Sequence, residues 1–198
     1  MRDLLAFADT AVAPSASEST TVTRTAQIDR RTGETDVSLT LGLSGTGAGT
    51  RSTGVGFLDH MLDLLARHGG LDLEASVKGD LQTGSHHTVE DTGIVLGQAL
   101  DRALGERRGI ARYGHAVIPM DEARAACAID VSGRPYCACE GFERLPAGDI
   151  AGFEHEAAEE FFRAVASAAR IASWSLVITE RAPTCSSAFS TERRLPIP

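Results

Sequence analysis

What most constrains the fold is the order in which hydrophobic periods follow one another. Val37, Leu39, Leu41 and Leu43 alternate with polar residues, as a half-buried strand requires. A β-rich stretch over residues 20–28 precedes them, joined by the turn-forming Arg31-Thr-Gly-Glu34. Phe57, Leu58, Met61, Leu62 and Leu65 then recur at helical spacing over residues 56–68, and Gly69-Gly70 stops the run. Leu71, Leu73, Ala75 and Val77 alternate again, and a second helix runs from His86 to about Leu104. This β-β-α-β-α order restarts at residue 111. Strands are expected over 112–118, 125–131 and 136–140, a helix over 155–171 and a strand over 174–179. No final helix follows, because Pro183, Pro196 and Pro198 bracket a Ser-rich stretch without a helical stripe. The expected fold class is therefore α+β: duplicated β-β-α-β-α half-domains, sheets covered by helices, the second repeat lacking its last helix. The expected organisation is a flexible extension over residues 1–19 (Ala, Pro and Ser at its end), a first half-domain over 20–110 and a second over 111–198 with an irregular tail.

A chain of 198 residues fits one domain or two small halves fused around one core. A net charge of -8 argues against nucleic acid or an anionic membrane surface as partner, so a small molecule is expected. No apolar run reaches the roughly 18 residues of a membrane span. Asp3 and Asp9 break up the N-terminal apolar stretch, which reads poorly as a secretion signal, and a cytoplasmic location is expected. Cys127, Cys137, Cys139 and Cys185 show no CxxC spacing and are too sparse for a disulfide scaffold. Cys137 and Cys139, two apart on a strand, share one face without forming a usual metal clip.

The segment Ser85-His-His-Thr-Val-Glu-Asp91 carries the chemistry. Ser85 is placed to cap the helix, and Glu90 and Asp91 fall in its first turns, where the helix dipole favours acids. His86 and His87 stand four and three residues before Glu90, so all three can share a face. Two imidazoles and a carboxylate suit Mn, Fe, Co, Ni or Zn. The competing reading is a polar helix start with surface histidines. His60, in Gly56-Phe-Leu-Asp-His-Met-Leu62, adds a further imidazole from the preceding helix.

Several segments together resemble the imidazoleglycerol-phosphate dehydratases, the manganese-dependent lyases of histidine biosynthesis. They include Gly54-Val-Gly-Phe-Leu-Asp-His-Met-Leu62, Arg67-His-Gly69, His86-His-Thr-Val-Glu-Asp-Thr-Gly93, Leu96-Gly-Gln-Ala-Leu100, Arg108-Gly-Ile110, Pro119-Met-Asp-Glu-Ala123 and Ser132-Gly-Arg-Pro-Tyr136, in an ordered set spanning roughly residues 20–173. The resemblance implies a duplicated α+β fold, assembly into a homo-oligomer, and active sites between subunits. It implies that His60, His86, His87 and Glu90 are first-half ligands of a centre holding Mn2+ or another first-row divalent ion. It makes Glu34, Glu90 and Asp121 the catalytic acids, and places Arg112 and Arg134 at the substrate phosphate. Ser190 echoes the family's closing Ser-Thr-Lys phosphate motif, here Ser190-Thr-Glu192. The family's second-half ligands, a strand His and a His-His-x-x-Glu, fall on Trp174 and near Thr184, Cys185 and Ala188. Leu64 stands where the family has Gln. The implied function is removal of water from a phosphorylated imidazole-glycerol substrate. The alternatives are a divergent paralogue with one metal or none acting on another small substrate, and a non-catalytic subunit.

Overall fold

The computed structural model describes residues 24–121, 123–144 and 148–179. Two four-stranded sheets of matching topology build the chain. The first uses β1 (Thr25–Arg31), β2 (Thr35–Gly42), β3 (Arg51–Ser52) and β4 (Asp72–Gly79), in the order β1-β2-β4-β3. The second uses β5 (Tyr113–Met120), β6 (Ala123–Asp130), β7 (Tyr136–Glu140) and β10 (Ala172–Thr179), in the order β5-β6-β10-β7. In each sheet an antiparallel hairpin is extended by an antiparallel strand, and the edge strand pairs in parallel with it. The α+β duplication expected from the periodicities is therefore present. Strand β7 has its counterpart in the two-residue β3, which no sequence periodicity indicates. A small hairpin, β8 (Asp149–Ile150) with β9 (Phe153–Glu154), was also not anticipated. Expectations for residues 1–19, for the start of the first strand at 20 and for the tail after 179 lie outside the described residues.

Helix α1 (Gly56–Gly69) ends where Gly70 adopts a left-handed conformation at φ 61°, and its amide reaches back to the carbonyls of Ala66 and Arg67. Helix α2 (His86–Leu104) follows β4, and α3 (Ala157–Ala168) precedes β10. The first half holds a dense core. Val37, Leu39 and Leu41 of β2 are 0% exposed, packed with Leu73, Ala75, Leu58, Leu62, Val89 and Leu96. Alternation on β2 and β4 puts these side chains on one face, and the apolar stripes of α1 and α2 cover it. The second half buries far less, with Ala166, Ala169 and Ile171 as its cluster. Val117 and Ile118 are adjacent on β5, so they point to opposite faces, and they are 56% and 62% exposed. Strand β5 is thus uncovered on both sides. No helix among the described residues is long and apolar enough to cross a membrane.

The halves meet where α2 crosses α3. A side chain at Gly97 would bring its Cβ to 2.7 Å from the Val165 carbonyl oxygen and 2.9 Å from the Ala169 amide nitrogen, both backbone atoms that cannot rotate away. Removing a helical glycine gains at most about 1 kcal/mol of propensity. Forcing bulk into a packed crossing costs about 1–3 kcal/mol. Gly97→Val is therefore expected to lower the urea midpoint of unfolding at unchanged m; an unaltered midpoint would mean that the crossing is not tight.

Candidate metal and substrate site

The site is assembled at the N-terminus of α2, at one end of the first sheet. Strand β4 closes at Gly79, a single 3-10 turn over Leu81–Thr83 follows, and Gly84, at φ 117°, turns the chain into the helix. Ser85 is 3% exposed, yet its hydroxyl does not cap α2 as the sequence suggested. Instead it accepts the Glu154 amide at 3.5 Å, tying α2 to the β8–β9 hairpin. Between these elements lies a cleft of about 300 Å³, lined by Val55, Leu81 and Ser85 on one side and Asp149 and Glu154 on the other.

His86, His87 and Glu90 come together on the exposed side of the first two turns. His86 Nε2 stands 3.8 Å from Glu90 Oε2, and the two imidazoles meet edge to face at 5.7 Å between centroids. The side chains of His86, His87 and Glu90 are each 42–52% exposed, open to a ligand from solvent. His87 Nδ1 lies 3.0 Å from an oxygen of Asp80, whose carboxylate also accepts the Thr83 hydroxyl at 2.9 Å. This pairing leaves Nε2 as the ring nitrogen for a metal, the usual division of labour in a carboxylate-oriented ligand histidine. Asp80 was not singled out from the sequence, although Gly79-Asp80 at the strand end, seven residues before His87, was the available signal.

Glu34 is exposed in the β1–β2 turn, and its charge raises the affinity of His87 for a proton, so it shares the field of the site. The turn is held by Asp91, 8% exposed on α2. Its carboxylate accepts the Thr35 hydroxyl, pairs with Arg30 at 2.5 Å and accepts Thr32 at 3.4 Å. Thr32 in turn accepts the amides of Glu34 and Thr35.

His60 is exposed on α1, on a separate element from the His86–Glu90 cluster. Among the described residues no three His, Cys, Asp or Glu side chains converge on a point that would hold a metal ion. The donors themselves, two imidazoles and a carboxylate with an orienting Asp80, fit a first-row divalent ion.

In the second half, Asp121 sits in the left-handed region at φ 50° in the β5–β6 turn, directly after β5, whereas Glu34 directly precedes β2 in the longer β1–β2 turn. Arg112 is bound to Asp130 through two contacts of 2.6 and 3.1 Å and lies 4.9 Å over the Tyr113 ring. Arg112 first, then a hydrogen bond from Ser132 and the charge of Arg134, hold the Asp130 carboxyl below its ordinary value. Arg107 and Arg170 approach the same turn, each within 3.9 Å of where a Cβ on Gly133 would lie. Trp174, the position implied for a strand ligand, donates its indole N–H to Glu140 at 2.8 Å. It is the third residue of β10, and the third residue of β4 is the exposed Glu74, which has no part in the first-half site. The repeat puts a different residue opposite His60. From His60 to the first residue of β4, and from Glu160 on α3 to the first residue of β10, the chain runs the same twelve positions, 60 to 72 and 160 to 172. Ser190, Thr184, Cys185 and Ala188 lie outside the described residues.

A sequence model described as imidazoleglycerol-phosphate dehydratase matches residues 53–182. The chain is 53% identical over 144 residues to the imidazoleglycerol-phosphate dehydratase of Jannaschia sp. (strain CCS1), covering 73% of each chain. It is 52% identical over 140 residues to that of Acetivibrio thermocellus, covering 71% of each. Among solved structures, imidazoleglycerol-phosphate dehydratase from Staphylococcus aureus superposes with a TM-score of 0.68 at 34% identity, over 79% of this chain and 85% of that one. The Pyrococcus furiosus structure gives a TM-score of 0.64 at 31% identity, over 77% and 80%.

Asp80 raises the proton affinity of His87 above its ordinary value of 6.5, chiefly through their hydrogen bond, while Thr83 and His87 lower that of Asp80. The pair's contribution to stability is complete below the ordinary histidine value and is lost as pH rises through the elevated one. At the acid end it is lost as pH falls through the depressed Asp80 value. In the metal-free protein, NMR titration is expected to place His87 above 6.5, and Asp80→Asn to bring it down. A wild-type midpoint at or below 6.5 would remove the pairing.

Proposed function

Because the chain belongs to the imidazoleglycerol-phosphate dehydratase family, by a family match over residues 53–182 and relatives above 50% identity, we propose that it is a hydro-lyase of histidine biosynthesis acting on imidazoleglycerol phosphate. The observation that supports this most directly is the pairing of His86 with Glu90 and of His87 with Asp80 on the first turns of α2, with Glu34 in the same electrostatic field. His86, His87 and Glu90, with His60 of a neighbouring copy, would hold Mn2+ or another first-row divalent ion. When bound, such an ion supplies Lewis acidity toward the substrate's imidazole. Asp80 fixes the tautomer and direction of His87. Glu34 and Asp121, at equivalent hairpin turns, are the groups that take and return the proton as the hydroxyl leaves with its oxygen as water. Arg112 and Arg134 hold the phosphate, Arg112 exchanging Asp130 for phosphate oxygens, which suit a guanidinium fork.

Copies of the chain associate. Tyr113, Val117 and Tyr136 expose 56–68% of their surface on one face of the second sheet, an apolar area that a neighbouring subunit would cover. The substrate is small and anionic, in keeping with local arginines on a chain of net charge -8.

A second reading is favoured by the sequence of the tail. The family's second-half ligand positions carry Trp174, Thr184, Cys185 and Ala188, and Glu192 stands where the phosphate-binding lysine is implied. In that reading the chain binds one metal or none and works on another small substrate, or pairs with an intact homologue that completes its sites.

Metal content by elemental mass spectrometry, read together with ketone formation from imidazoleglycerol phosphate, separates the two. About two ions per subunit and turnover are expected. One ion or none, without turnover, would overturn the main reading. His86→Ala is expected to strip metal, and unchanged metal content would displace the proposed ligands. Arg112→Ala and Arg134→Ala are each expected to raise KM roughly tenfold, the scale of a lost charged hydrogen bond; an unaltered KM would remove them from the phosphate.

A further inference from the structure

The second sheet carries a feature that the dehydratase site does not use. Cys137 and Cys139 alternate on β7, so both side chains emerge from one face, and their sulfurs stand 3.6 Å apart. That face is the one turned toward α3. Cys137 packs with Ala166, Ala169 and Ile171, and Arg163 of α3 donates to the Cys137 carbonyl at 3.3 Å while bound to Glu159. Strand β7 is the sheet edge, and both thiols are half-buried rather than sealed. We propose that Cys137 and Cys139 form a dithiol site for a trivalent arsenical, bound through both sulfurs.

Three ligand classes compete for such a pair, and geometry separates them. A disulfide needs Cβ atoms about 3.5–4.5 Å apart. Alternate residues of an extended strand stand about 6.7 Å apart at Cα with parallel Cβ vectors. Closing the bond would buckle β7, which is registered on β10 from Tyr136 to Glu140. A one-atom bridge removes that demand, since a centre about 2.3 Å from each sulfur lets the two sulfurs stay well beyond bonding distance of each other, as they stand here. Zinc would supply such a bridge but asks for four ligands. Among the described residues, the charged neighbours are Glu159, already tied to Arg163, and the Arg163 cation itself. Cys127 cannot serve as a third ligand. It faces Cys139 across the intervening Ser175 of β10, two strand spacings or about 9.6 Å away. Trivalent arsenic requires only two sulfurs, its remaining valence being filled by its own substituent.

The chemistry balances without an oxidant. An arsenoxide, R–As=O, condenses with two thiols. Two As–S bonds form, the As=O bond and both S–H bonds break, and the oxygen leaves with the two protons as water. Arsenic and sulfur keep their oxidation states. Burial first, then Cys137, push the Cys139 thiol up to about 12. It therefore rests protonated, suited to condensation with loss of water and unsuited to acting as a standing thiolate nucleophile.

The test uses phenylarsine oxide on the full chain, read by intact mass and by free-thiol count. One adduct per subunit is expected, with the loss of two titratable thiols, reversed by a small dithiol and resistant to an equal concentration of monothiol. Cys137→Ser and Cys139→Ser are each expected to abolish the dithiol-specific adduct, and Cys127→Ser to retain it. Should a variant fail to fold, fragmentation of the wild-type adduct is expected to place arsenic within residues 136–140. No adduct, one that survives Cys137→Ser or Cys139→Ser, or arsenic located on Cys127 or Cys185 would overturn the proposal. The result is independent of dehydratase turnover.

Discussion

Asp91 is 8% exposed on the second turn of α2, and its carboxylate takes Thr35, Arg30 and Thr32 of the β1–β2 hairpin together. A carboxylate at such a depth carries a desolvation cost of several kcal/mol, so it persists only where partners satisfy it from more than one side. Here those partners belong to a single hairpin. The consequence is mechanical: the β1–β2 turn cannot swing away from α2 without leaving a buried charge unpaired. Glu34 rides on that turn, with its amide held by Thr32. The position of an exposed acid relative to His87 is therefore set by a buried acid one residue beyond Glu90. A site open to water on its ligand side gains its rigidity from beneath, which is what a preorganised metal cluster needs if its donors are to stay accessible.

The two halves share a topology and differ in what covers it. In the first, α1 and α2 both lie on the sheet, and every inward position of β2 is sealed. In the second, among the described residues, α3 alone serves four strands, and β6 has no fully buried residue. Burial in the second half concentrates where α3 meets α2, at Gly93 and Gly97, because small residues there let the helices approach. The first half thus holds the main core, into which Phe153 and Ala157 of the second half are drawn, while the strands of the second sheet stay open to a neighbour.

Long elements were legible in the sequence because their periods repeat. Helix α2 runs from His86 to Leu104 as the spacing indicated, and β4 buries Leu73, Ala75 and Val77 in strict alternation. Elements of two residues have no period to read. Strand β3 forms only because Arg51 and Ser52 pair with Ala75 and Ser76, a decision made by β4 rather than by the loop. The cap at Ser85 failed for a related reason. A tertiary donor, the Glu154 amide, took the hydroxyl that local chemistry had assigned to the helix. The residue types of the site were legible too, since His-His-x-x-Glu at a helix start has few uses. Their partners were not: Asp80, Asp91 with Arg30, and Asp130 with Arg112 are each fixed by where separate elements meet.

Duplication supplies the register that a motif count does not. A helix must deliver its chain to the next strand over a fixed rise and a fixed turn, so equal distances to strand starts mark equivalent positions more securely than matches of residue type across a loop. On that measure His60 corresponds to Glu160, and Trp174 to Glu74. The strand position offers an indole already bound to Glu140, so neither equivalence rests on a likeness of side chains.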